Sequence, residues 1–120
     1  MEKVVIIFDW DDTLLCTSFL NARQGQTPQP VVERYLKEIE KAAIRLLEQA
    51  LRLGRTFIIT NADAGWVEHS AAKYMPGLCP MLQRVRIVSA RENHEAQYPG
   101  EVSQWKIQAF LGVKREFDSE

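Results

Sequence analysis

Three carboxylates, Asp9, Asp11 and Asp12, fall within four positions at the end of the apolar run Val4-Val5-Ile6-Ile7-Phe8. Charges that close repel one another unless something positive sits among them. A hard divalent cation, typically Mg²⁺ held by carboxylates, backbone oxygens and water, is the simplest counter-charge. A phosphate dianion could then approach the neutralised cluster, so the residue types and spacing point to phosphoryl transfer. Thr13 follows directly, and Thr60 and Lys106 lie further along the chain.

Such acids need a rigid base. Val, Ile and Phe in an unbroken row suit a strand buried on both faces, predicted over about Lys3 to Phe8. The carboxyl ends of strands are where open α/β sheets bind their ligands. The stretch from Thr17 to Pro30, with Gly25, Pro28 and Pro30, reads as a loop or short hairpin leading into a helix. From Val31 to Leu53 the residues Val32, Leu36, Ile39, Ala43, Leu46, Leu47 and Ala50 form an apolar stripe at helical spacing, ended by Gly54. A second strand is expected over Arg55 to Ile59. Asp63 is expected to cap a helix from about Ala64 to Tyr74, closed by Pro76 and Gly77. A third strand spans Val85 to Ser89, its alternating Arg84 and Arg86 marking a wetter edge. Arg91 to Gly100 reads as a polar connection, and Ser103 as the cap of a last helix through about Leu111. This β-α order implies a parallel sheet with right-handed crossovers.

With these elements in view, Asp9-Trp10-Asp11-Asp12-Thr13 resembles the first motif, DxDxT, of the haloacid-dehalogenase-like (HAD) superfamily. Phe57-Ile58-Ile59-Thr60-Asn61 resembles the second motif, an apolar strand closing on Thr or Ser. Lys106, within Trp105-Lys106-Ile107-Gln108-Ala109-Phe110, resembles the third, and together the motifs span nearly the whole chain. The resemblance implies a three-layer Rossmann-like (HAD-like) α/β fold over residues 1–120. It also implies a magnesium-dependent phosphatase working through an aspartyl-phosphate. Asp9 would attack phosphorus, dividing one hard hydrolysis into two easier displacements. Asp11 would protonate the leaving oxygen and then activate water. Alternate residues leaving a strand point the same way, so both carboxylates can reach one phosphorus. Thr60, with the backbone N–H of Asn61, would hold a phosphoryl oxygen, and Lys106 would neutralise charge on Asp9 and on the transferring group. Asp9 and the carbonyl of Asp11 would bind Mg²⁺. Trp10 points elsewhere and reads as packing, and Asp12 as a loop-orienting or outer metal residue. An acid at Asp11 favours phosphatase over dehalogenase or ion-pump chemistry.

Several competing chemistries fail on named residues. A cysteine-phosphatase loop needs Arg six positions after its Cys, but Ala22 and Val85 stand there after Cys16 and Cys79. His94-Glu95 lacks the second zinc-protease histidine, its place taken by Tyr98. A receiver domain needs a phosphoacceptor Asp after the third strand, where Val88-Ser89-Ala90 has none. The 120 residues suffice for one core, and their 46% hydrophobic and 26% charged content is ordinary for a soluble globular chain. A net charge of −1 gives no general attraction to nucleic acid or to a membrane surface, and the expected location is cytoplasmic.

The chain departs from the family pattern at its end. A fourth acidic motif would complete the magnesium shell. Val113-Lys114-Arg115-Glu116-Phe117 is a poor buried strand, and Asp118-Ser119-Glu120 only faintly resembles that motif. The expectation is a C-terminally incomplete core with weak metal affinity, whose first strand is an open edge prone to self-association. A non-catalytic HAD-like binding or scaffold module is the alternative. The short connections leave no room for a cap domain, so the substrate is expected at an open site, as a phosphorylated small molecule or a phosphoprotein.

Overall fold

The opening apolar run forms β1 (Val5–Asp9), and β2 (Arg55–Thr60) lies beside it in parallel, with Val5 opposite Arg55 and Asp9 opposite Ile59. A third strand, β3 (Arg86–Ser89), pairs in parallel with the far side of β2. The sheet order is therefore β1-β2-β3. This is an α/β fold, a three-stranded parallel sheet flanked by helices, in a computed structural model that describes residues 4–27 and 29–119. The expected strand position of Lys3, the Pro28 of the first loop and the terminal Glu120 lie outside the described residues.

Alternation along β2 explains why helices cover both faces. Ile58 points into a cluster with Trp10, Leu47, Val67, Ala71 and Met75. Phe57 and Ile59 point the opposite way, against Trp105, Ala109 and Val113. The first cluster rests on α2 (Pro30–Leu53) and α3 (Trp66–Tyr74), the second on α6 (Val102–Asp118). The apolar stripe predicted for α2 holds at Ala43, Leu47 and Ala50, which are buried, but Leu46 is exposed. At the end of α2, Gly54 is required by a close approach: a Cβ there would lie 2.2 Å from the carbonyl oxygen of Val4.

Local structure differs from expectation in four places. Part of the predicted loop after Cys16 is a short helix, α1 (Thr17–Ala22). Asp63 does not cap α3; Gly65 stands at the N-cap with φ +87, a left-handed turn that glycine adopts without a steric penalty. After a 3₁₀ turn (Pro76–Leu78) and the short α4 (Cys79–Leu82), β3 leads directly into α5 (Ala90–His94) within the expected polar connection. The Ser89 hydroxyl caps α5 by accepting the N–H of Glu92 at 3.1 Å. The last helix starts at Val102 with Glu101 as N-cap and continues well past Leu111, through Gly112 to Asp118. Buried Val113 explains the extension, because it packs with Trp105 and Ala109 on the same face.

β3 lies at a sheet edge, as its arginines suggested, and Arg86 pairs there with Glu116 of α6. No helix among the described residues is long and apolar enough to cross a membrane.

Candidate active site

The acidic tip is organised by what lies between its carboxylates. Trp10 is fully buried, and its indole N–H donates to the Ser70 hydroxyl at 2.9 Å inside the core. With this side chain turned inward, the backbone turns tightly: the Trp10 carbonyl accepts from Leu14 at 3.0 Å and from Leu15 at 3.1 Å. Asp9 and Asp11 flank that anchor and face the carboxyl end of the sheet. The reading of Trp10 as packing holds.

Asp9, the last residue of β1, forms an ion pair with the ammonium of Lys106, near the start of α6. The partners are 97 positions apart in sequence, so the first strand and the last helix meet here. The Asp9 side chain is 44% exposed, which leaves it accessible to a ligand.

Asp11 is held by three donors from three elements. Its Oδ1 accepts from the Thr17 hydroxyl of α1 and from the Trp66 indole N–H of α3, both at 2.8 Å. Its Oδ2 accepts from the Thr60 hydroxyl at the end of β2, at 3.2 Å. Thr60 Oγ1 in turn accepts the backbone N–H of Ala62 at 3.0 Å. Thr17 and Trp66 were not among the residues singled out from sequence. Thr17 lies in a stretch without periodicity, and an aromatic residue in a helix carries no local mark of a polar role.

Asp12 adopts φ +58, a left-handed conformation that Asp tolerates better than most residues. Its carboxylate accepts from the Ser18 hydroxyl at 2.6 Å and from the Ser18 backbone N–H at 2.8 Å, tying down one of α1's free N–H groups. The Ser18 hydroxyl, and then its N–H, hold the Asp12 carboxyl below its ordinary pKa. Asp12 is thus a loop-orienting residue. Burial pushes the neighbouring Cys16 thiol up, which keeps it protonated and a poor nucleophile.

Asn61 follows Thr60, and its Oδ1 is enclosed without a hydrogen-bond partner. Beside Thr60 a cavity of about 220 Å³ opens toward Ser89, Asp63, Glu68 and Glu92, between the ends of β2 and β3. Asp9 and Lys106 do not line it. Four predicted residues therefore form two linked pairs at the ends of adjacent strands, Asp9 with Lys106 and Asp11 with Thr60.

Among the described residues, no group of three or more His, Cys, Asp or Glu is arranged to hold a metal ion. The exposed Asp9 carboxylate and the Asp11 carbonyl remain as donors. That set suits a cation that keeps most of its water and is bound through one or two carboxylates plus substrate phosphate, as Mg²⁺ commonly is. Comparison of the chain with protein-family models, with curated proteins and with solved structures finds no match.

Proposed function

We propose that this chain is a magnesium-dependent phosphoric-ester hydrolase of the HAD type, with a Rossmann-like core and with Asp9 as its nucleophile. The observation that supports it most is the pairing of Asp9 with Lys106 beside the Asp11–Thr60 hydrogen bond. Two carboxylates, a hydroxyl and an ammonium, from three separate parts of the chain, gather at the carboxyl ends of parallel strands.

In this reading the Asp9 carboxylate attacks phosphorus while Lys106 offsets charge on both reactants. Asp11 gives a proton to the departing oxygen, then takes one from the water that releases phosphate. Thr60 turns its single hydroxyl proton from Asp11 to a phosphoryl oxygen, and Ala62 N–H continues to hold its oxygen in place. Asp9 and the Asp11 carbonyl would hold Mg²⁺, which when bound supplies positive charge against the phosphoryl oxygens. The substrate is a phosphorylated small molecule or phosphoprotein.

Turnover of p-nitrophenyl phosphate tests the proposal. Magnesium-dependent hydrolysis is expected, falling to background in Asp9→Asn and by roughly 100- to 1000-fold in Lys106→Ala. Turnover that survives Asp9→Asn would reject Asp9 as nucleophile.

A second reading is a non-catalytic binding module of similar fold, favoured by the absence of a carboxylate cage among the described residues. It predicts no hydrolysis, but saturable binding of inorganic phosphate that weakens in Lys106→Ala.

A further inference from the structure

We infer that β1 is the contact strand of a two-fold dimer, in which two copies of this chain join their sheets edge to edge. This inference is independent of any catalytic activity. β1 occupies one end of the strand order, and among the described residues nothing pairs with its outer side. The Arg55 N–H donates to the Val4 carbonyl at 3.0 Å. By alternation, Ile6 and Phe8 also turn their backbone groups toward β2, and Val5, Ile7 and Asp9 turn theirs outward. The common protections of a free edge (an inward charge, a proline, a bulge) are missing from Val5-Ile6-Ile7-Phe8.

The geometry selects another copy, paired antiparallel about Ile7. In that register Ile7 meets Ile7 of the other copy and Val5 meets its Asp9, so every outward backbone group finds a partner. Charge favours the same arrangement. A parallel pairing would set the two acidic tips against each other. The antiparallel one sends them to opposite ends and places each Asp9 in a row with Val5 and Arg55. The chain's net charge of −1 adds little repulsion between copies.

Helix α6 supplies a shoulder beside the axis. Lys106 reaches Asp9, and Phe110, one turn on, shares that flank and is 42% exposed. One helical turn covers ~5.4 Å and two strand residues ~6.6 Å, so Phe110 stands level with Ile7. A two-fold axis through Ile7, perpendicular to the sheet, brings both Phe110 side chains toward it.

Sedimentation velocity on the full chain is the first test. A dimer that dissociates on dilution, with a Kd of roughly micromolar order, is expected. A monomer at every concentration, or growth beyond the dimer, would overturn the inference. Ile7→Pro removes an outward N–H that β2 does not use, an exchange an edge strand tolerates, and should yield a folded monomer by circular dichroism. Phe110→Asp should weaken association at least tenfold. A dimer that persists unchanged in both variants excludes this edge. Should Ile7→Pro fail to fold, Ile7→Cys decides. The expected Cα separation of about 5.5 Å allows a symmetric disulfide, so mild oxidation should link the copies covalently, and failure to do so counts against the pairing.

Discussion

β1 and β2 are both short and rich in Ile and Phe, yet they differ in burial. Phe57, Ile58 and Ile59 of β2 have no exposed surface, whereas every apolar residue of β1 is only half-buried. Composition does not separate them; place in the strand order does. β2 has a strand on each side and helices on both faces, and β1 has one neighbour. The better-buried strand contributes a hydroxyl to the site, and the exposed one contributes the carboxylates. The proposed chemistry therefore rests on the less protected member of the pair.

Alanine substitution at matched aromatics should give the largest contrast. Phe57→Ala is expected to cost about 3–5 kcal/mol, and Phe8→Ala about 1–2 kcal/mol because part of its surface already meets water. Urea unfolding of both variants checks this; equal losses would mean that position in the strand order does not set the cost. A smaller effect is expected where the strands meet the corner after α2. Gly54→Ala drives a Cβ against the Val4 carbonyl and should cost about 2 kcal/mol, seen as a lower denaturation midpoint at unchanged slope.

The smallest effect concerns the loop leaving β1. Asp12 has its pKa depressed by Ser18, so its contribution to stability is present above the unfolded value, roughly 3.9, and is lost as pH falls through the folded value. Carboxyl titration by NMR should place the Asp12 midpoint below that of free Asp, and Ser18→Ala should raise it.

The apolar runs of the three strands and the long stripe of α2 were legible because burial repeats in step with local geometry. Lys106 was legible only through its motif, since nothing in its neighbours announces a partner 97 positions away. α1 escaped because it is six residues long and one of its free N–H groups is satisfied by Asp12, outside the helix. α5 did carry a signal: Ser89-Ala90-Arg91-Glu92 has the spacing of a capping box. The start of α3 was misplaced because a left-handed glycine, Gly65, begins it and Asp63 turns to Arg91 at 3.5 Å. Trp66 could not be assigned to Asp11 before the fold brought them together.

The bonding of Asp11 changes how its replacement should be interpreted. An amide in its place offers only one accepting oxygen, whereas the carboxylate takes donors on both. Asp11→Asn therefore keeps the Thr17 and Trp66 bonds only with its oxygen turned toward them, and its amide must then donate to the Thr60 hydroxyl, reversing that bond. In the proposed mechanism, lost turnover in that variant would combine a missing proton donor with a Thr60 hydroxyl held by a reversed hydrogen bond. The carboxylate is a clasp as well as the proposed reagent.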